Sequence, residues 1–386
     1  MVLLKKMEVY GFDKWSRKLI EDYLTGRVTR TKIGNFTSDK VHLSSGVGEG
    51  SVLGPCIFSM GLCDVSTVAT DTVKACQDLG IDVLASTVEF ADDITGIIGA
   101  YTEEDCQLAI NIMMKNFKNY FSVNGLVLNE TKCSILVCRP GKKVTELKLG
   151  EQSEESFVKL LGLYIDSGYN FATHIQKMKS SVLFKISCIK KISCYLSDKN
   201  LRTMVESMVL SKISYCGEIY IGKTMEVQKQ VQRLINPAAR VLLRYTGRDQ
   251  DYSTAAMMKD AKWWNATCLW VKLLVHNLRR CLQGHGALRT FMAIQSGHKD
   301  HWVRSCSVKI AWGKKLNRHA RNSFVVMAAR WMNELQLYGR SYVDENGKKS
   351  EKEVFKEAVD MEIQKKINSG QLSNGHVEQF QFKNDT

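Results

Sequence analysis

Asp92 and Asp93 are adjacent carboxylates lying between two runs rich in β-branched residues, 83–90 and 94–98, which places them at the expected tip of a hairpin. A tight turn exposes such acids while the strands on either side hold them rigidly. That arrangement suits phosphoryl transfer assisted by two divalent ions, because Mg²⁺ takes one or two carboxylates and completes its shell with substrate phosphate oxygens. Asp92 is the better ligand candidate of the pair. Adjacent acids at a turn are equally the ordinary solvated residues of a loop. A second set, Cys281, His285, His298 and His301 with Cys306 beyond, has ligand types suited to zinc. Its spacing fits no common zinc pattern, so zinc is not expected.

The elements that must hold these residues can be read from period and punctuation. Residues 1–25 have helical spacing through Trp15, Leu19, Ile20 and Leu24, and Gly26 stands where a C-terminal cap belongs. Residues 28–34 and 41–43 alternate like a short hairpin and lead into the glycine-rich turn 46–50, after which the pattern from Ser51 is helical. Thr102 and Asp105 signal a helix start. Leu108, Ile112, Phe117 and Phe121 fill the expected apolar side of that helix until Asn124-Gly125 ends it. Strands are expected near 134–138 and 160–165. Beyond Phe171 the pattern is helical: Ile175, Met178, Val182, Ile186 and Ile189 form one stripe, with Lys177, Lys179, Lys185 and Lys190 off it. From Asn346 alternating charges suggest an exposed helix or tail.

Four ordered segments resemble the reverse transcriptases of non-LTR (LINE-type) retrotransposons. Gly46-Val47-Gly48-Glu49-Gly50-Ser51-Val52-Leu53-Gly54-Pro55 resembles their G-V-P-Q-G-S-x-L-G-P signature, and Phe90-Ala91-Asp92-Asp93 resembles their [Y/F]-A-D-D box about forty residues later. Asn124-Gly125-Leu126-Val127-Leu128-Asn129 with Lys132 looks like the next motif. Leu160 to Asp166 looks like the primer-grip strand, with Leu161 and Gly162 at the grip. Weaker likenesses extend from Leu3–Arg27 through Leu201–Tyr215 and Gln228–Arg240 to Asn322-Ser323-Phe324 and Trp331-x-Asn333-x-Leu335, with Jockey-like elements the most similar in spelling. Read singly, the glycines could serve a tight turn, Lys132 could be a surface lysine, and Leu161-Gly162 could be a bulge.

The resemblance implies an RNA-directed DNA polymerase by descent, using two-metal nucleotidyl transfer with Mg²⁺, for which Mn²⁺ can substitute. Asp92 and Asp93 would be catalytic metal ligands, and Lys132 would protonate the departing pyrophosphate. Glu49, Gly50, Ser51, Phe90 and Ala91 would contact nucleotide and template. The partners implied are an RNA template, a DNA primer or RNA–DNA duplex, and deoxynucleotide triphosphates. The implied fold class is α+β, a partial right-hand polymerase. Residues 1–45 would be a connecting helix and hairpin of fingers and palm, and 46–170 an antiparallel palm sheet with helices. A helical thumb at 171–245, a basic helical C-terminal region at 246–345 and a charged tail at 346–386 would follow.

Departures from the family pattern bear on activity. No β-run carrying an acid precedes residue 46, so the first catalytic aspartate is missing from its expected place, and the resemblance then implies an N-terminally truncated, inactive domain. Glu49 stands where the family has glutamine. A carboxylate about 4 Å from a triphosphate costs roughly 4 kcal/mol at an effective dielectric near 20. The alternative is a non-catalytic RNA- or DNA-binding remnant.

Composition favours either polyanion-binding reading. The 386 residues carry 54 Lys and Arg against 40 Asp and Glu, a net charge of +14, and residues 171–330 hold 28 basic against 8 acidic side chains. So lopsided a block repels itself unless a polyanion faces it. The alternative is a solvated helical surface. No apolar run is long enough to span a bilayer or serve as a secretory core, so an intracellular protein of nucleus and/or cytoplasm, neither secreted nor membrane-bound, is expected. Twelve cysteines without a C-x-x-C pair suggest reduced core thiols.

Overall fold

The structure is a computed structural model and describes residues 2–43, 46–48, 50–139, 145–247, 252–282, 292–295, 307–310, 331–332, 335 and 350–369. It is mixed α+β, combining helices with small antiparallel strand pairs, and divides into two compact units, Met1–Val158 and Lys159–Thr386.

The first unit opens with two helices where the sequence suggests one. Helix α1, Val2–Val9, ends at Gly11, whose φ of 81° is left-handed, and Asp13 then caps α2, Lys14–Leu24, by accepting from the Ser16 amide. Strands β1 (Val28–Thr29) and β4 (Val41–His42) pair antiparallel, with β2 (Lys32–Ile33) and β3 (Phe36–Thr37) paired inside them around Gly34. Helix α3, Gly54–Leu62, starts three residues after Ser51, because Ser51 Oγ accepts from the Gly54 amide instead of joining the helix. Helix α4, Thr67–Asp78, leads into β5 (Val83–Phe90) and β6 (Asp93–Ala100), which form one regular hairpin.

Helix α5, Glu103–Val123, begins at Thr102, whose hydroxyl accepts from Asp105 N, and ends at Asn124 and the left-handed Gly125. Its buried face is Ala109, Ile110, Met113 and Phe121, while Leu108 is exposed. The inward stripe is therefore turned by about one residue from the expected one, so that small Ala109 faces Cys76 and Val83. The expected strand at 134–138 reduces to one isolated bridge, Leu136 to Glu155, and a short β7–β8 pair (Lys148–Leu149 with Gln152–Ser153) follows. A single antiparallel sheet over 46–170 does not form among the described residues: every strand pair stands alone.

The second unit begins in a hairpin of β9 (Phe157–Leu160) and β10 (Leu163–Asp166). The strand expected at 160–165 is thus interrupted. Leu161 and Gly162 have φ of 47° and 89°, and two successive positive values make a two-residue reversal rather than a continuous strand.

Helix α6 (Ala172–Ile192) buries Ile175, Met178, Val182, Ile186 and Ile189, the stripe read from sequence. Each such burial contributes about 1.5–3 kcal/mol. Helix α7 (Asp198–Val205) passes through a π segment, Glu206–Leu210, into α8 (Ser211–Ser214). Helices α9 (Gly217–Tyr220), α10 (Met225–Leu242), α11 (Thr254–Ala261) and α12 (Ala266–Leu282) complete the block, and an unforeseen pair, β11 (Met292–Gln295) with β12 (Ser307–Ile310), follows it.

The terminal segment is not merely exposed. Helix α13, Glu351–Asn368, buries Phe355, Val359 and Ile363 in the same core as Leu274 and Leu278. Those three residues lie four apart, which puts them on one helical face. The cysteines also depart from expectation: Cys76 and Cys268 are buried, but Cys56, Cys63, Cys138, Cys188 and Cys194 are exposed. On α6 the cause is phase, because Cys188 falls opposite the apolar stripe.

Candidate nucleotidyl-transfer site

The β5–β6 register pairs Val83 with Ala100 and runs without a bulge to Phe90 opposite Asp93. Ala91 and Asp92 are consequently a two-residue turn. Ala91 has φ of 54°, a conformation such turns normally give to glycine, so the backbone is strained at this point. Ala91, Asp92 and Asp93 are all exposed.

Packing on one side keeps this tip rigid. Ala85, Ile94 and Ile98 pack against Val65, Val68 and Met113, joined by Phe117 and Tyr120. Gly96 permits the close approach: a Cβ there would lie 2.7 Å from Met113 Sδ and 3.5 Å from the Phe117 ring. The opposite face leaves Leu84, Val88, Phe90 and Ile97 exposed.

A polar cluster unforeseen in the sequence pins the supporting helices. Lys6 Nζ donates to Gly61 O at 2.7 Å, to Asp64 Oδ1 at 2.6 Å and to Tyr120 Oη at 3.2 Å, while Tyr120 donates to the same Asp64 oxygen. Burial pushes the Asp64 carboxyl up, but the hydrogen bonds from Lys6 and Tyr120 and the lysine charge outweigh it and hold the group below its ordinary range. Burial, then the bond to Asp64, pushes the Tyr120 hydroxyl well up. The one sequence signal was an acid closing the apolar run of α3.

The glycine-rich turn is tied in differently. Arg27 donates to Leu24 O and Gly46 O, linking the end of α2 to the turn. Gly50 has φ of 74°, and Gly54 cannot carry a Cβ without meeting Ser51 Oγ at 2.9 Å. Glu49 lies outside the described residues. Lys132 is exposed at the end of a 3-10 turn, Glu130–Lys132, in which Glu130 pairs with Lys118. Leu161 and Gly162 belong to the second unit, where Tyr215 donates to Leu161 O and its ring lies 3.5 Å from where a Gly162 Cβ would stand.

The structure therefore brings Phe90, Ala91, Asp92 and Asp93 to one turn and leaves Gly50, Ser51 and Lys132 on separate loops. Among the described residues no three His, Cys, Asp or Glu side chains gather as a metal site. The two carboxylates suit an ion that shares its shell with phosphate oxygens and not a closed protein cage. Of the zinc candidates, the Cys281 side chain, His285, His298, His301 and Cys306 lie outside the described residues, as does Asn322-Ser323-Phe324; Trp331 and Leu335 are buried in the second unit's core. Among the described residues no helix is long and apolar enough to cross a membrane.

No protein-family profile matches the chain. A stretch of 162 residues, 42% of the chain, is 25% identical to the retrovirus-related Pol polyprotein from type-1 retrotransposable element R2 of Popillia japonica. That stretch covers 26% of the relative's own length. This similarity relates the chain to a non-LTR retrotransposon Pol polyprotein.

Proposed function

We propose that the chain is a reverse-transcriptase domain of a non-LTR retrotransposon, with 46–170 as palm, 171–245 as thumb, 246–345 as a basic C-terminal region and 346–386 as a charged terminal segment whose helix Glu351–Asn368 packs into the helical core. One observation carries this reading: a rigid two-residue turn that exposes Asp92 and Asp93 together, in motif order behind the Gly46–Pro55 turn and α3. The likeness to an R2 polyprotein supports the retrotransposon origin. A Jockey-like affinity rests on motif spelling alone.

In this reading Asp92 and Asp93 hold Mg²⁺ from one side, and the ion, when bound, stabilises charge on the transferring phosphate. Phe90, Ala91, Gly50, Ser51 and Glu49 line the nucleotide and template. Lys132 supplies a proton to pyrophosphate, and the Leu161–Gly162 turn, pinned by Tyr215, holds the primer end.

The test combines Mn²⁺ binding, read from the free-ion paramagnetic resonance signal, with primer extension on an RNA template. Mn²⁺ should bind in the presence of primer-template and nucleotide, and Asp92→Ala should abolish the binding; equal binding by the variant defeats the site. The chain alone should not extend primers, because one turn anchors the ions from one side only and lost positioning of this kind costs at least ~10³ in rate. Extension that Asp92→Ala removes would overturn that expectation and require a third acid.

A second reading, a non-catalytic nucleic-acid-binding remnant, is favoured by the single-signed charge of α6, which holds five lysines and no acid. It relies on the basic helices of the second unit. Both readings require binding to RNA or DNA that weakens steeply with salt.

A further inference from the structure

Helix α6 has two faces of different chemistry. The inner one is the apolar stripe described above. The outer one carries Phe184, 71% exposed. Its neighbours at three and four positions on either side, Ser180, Ser181, Ser187 and Cys188, are all small, so the ring stands clear of surrounding side chains. Lys177 and Lys191 lie seven residues before and after it. Seven residues at 3.6 per turn return to nearly the same face, so each lysine sits about 10 Å along the helix from Phe184. Tyr195, in the 3-10 turn closing the helix, adds a second aromatic at 86% exposure.

The charge of this face is single-signed. α6 holds five lysines and no acid. Lys185 donates to Met208 O, but among the described residues Lys177, Lys179, Lys190 and Lys191 have no carboxylate within ion-pair distance. The first acid after the helix, Asp198, is paired with Arg244. Unpaired lysines flanking isolated aromatic rings match a polyanion whose repeating units present flat faces.

We infer that the outer face of α6 binds single-stranded nucleic acid, with Phe184 and Tyr195 as stacking platforms for unpaired bases and Lys177 and Lys191, which share the Phe184 face, as phosphate contacts. A paired base in a duplex has both faces already stacked, so a projecting ring gains nothing from it; an unpaired base has a face to offer. The inference rests on the nucleic-acid reading above and is independent of Asp92 and Asp93.

The experiment measures binding of the full chain, by fluorescence anisotropy, to a labelled oligo(dT), to an abasic strand of equal length and to a duplex. Base stacking on one aromatic side chain corresponds to roughly 5- to 150-fold in affinity. The wild-type chain should prefer oligo(dT) over the abasic strand by a factor in that range. Phe184→Ala should erase most of the preference and leave abasic and duplex binding unchanged, while Phe184→Tyr should keep it. Lys177→Gln with Lys191→Gln should weaken both single strands alike and flatten the salt dependence by about 1.4 in log–log slope, two contacts at about 0.7 each.

Circular dichroism melts check that these surface variants remain folded. A preference that survives Phe184→Ala overturns the inference while leaving nucleic-acid binding intact. So does a Phe184→Ala variant that changes the oligomeric state and not oligo(dT) affinity, which would assign the face to protein contact. Failure of every strand to bind would defeat the nucleic-acid reading itself, and the inference with it.

Discussion

The two units bury their apolar side chains in opposite ways. In the second, one continuous core joins α6, α7, α10, α12 and α13, with Val231, Leu274 and Val275 fully enclosed. In the first, small clusters cover one face of the β5–β6 hairpin, while Leu84, Val88, Phe90 and Ile97 on its other face stay exposed. A helix buries a stripe on whichever neighbour is near, so helical units close their cores locally. A hairpin has two faces and two edges. α4 and α5 occupy one face, and among the described residues no strand occupies either edge. The larger core thus lies in the helices, and an exposed apolar strip of Leu84, Val88, Phe90 and Ile97 adjoins the acidic tip.

The sharpest way to break that comparison is a matched pair of truncations. Leu274→Ala should lower the unfolding free energy of the second unit by about 2–5 kcal/mol in urea titration, because the cavity is fully enclosed. Leu84→Ala, at a residue 78% exposed, should cost under ~0.5 kcal/mol. Equal losses would mean that the hairpin's outer face is covered in solution.

Acid should separate the units next. His276 on α12 is half-buried, its ring edge-on to Phe355; the loss of solvent, reinforced by Lys272, Lys356 and Arg279 and opposed only by Asp360, pulls its value down to about 4. Burial and then Lys212 pull His174 down as well. Depressed folded values mean the neutral rings belong to the fold. Their stabilisation is complete above the ordinary histidine value of 6.5 and is lost as pH falls toward about 4, on the order of 3 kcal/mol from His276.

Asp64 in the first unit also has a depressed value, but from an ordinary 3.8, so its contribution fades only below that pH. Hydrogen exchange at pH 5 should therefore rise in α12 and α13 before it rises in α5 and β5. His276→Leu should remove much of the difference, and earlier opening of β5 would reverse the comparison.

The smallest stability effect should accompany the largest change in behaviour. Leu84→Lys with Val88→Lys should alter stability by less than ~0.5 kcal/mol each and should raise the concentration at which the chain precipitates. Unchanged solubility would show that the strip does not drive association of the chain.

Much of this fold was legible because its signals are local. The α6 stripe, the Thr102 cap, the Asn124-Gly125 stop and the hairpin bracketing Asp92 each lie within a few residues of what causes them. The errors have local causes too, but ones that compete with period: Gly11 and Asp13 break an otherwise continuous helical pattern, and two positive φ values turn an apparent strand at 160–165 into a reversal. Leu108 was misplaced because packing chose the small Ala109 side of α5 for contact with Cys76 and Val83. Nothing nearby in sequence announces that preference.

By itself the sequence determined the α6 stripe, the Thr102-capped helix, the acidic turn and the one-sided charge of residues 171–330. Tertiary structure alone decided which distant polar groups meet. Lys6, Asp64 and Tyr120 are 114 residues apart at their extremes and form one hydrogen-bonded cluster, and Tyr215 reaches back to the Leu161 carbonyl. It also decided that the last amphipathic helix packs inward through Phe355, Val359 and Ile363. The physical reason is common to these cases. Backbone propensity and hydrophobic period act over one or two turns of chain, whereas a buried polar group or an apolar stripe takes whatever partner the folded chain brings within reach.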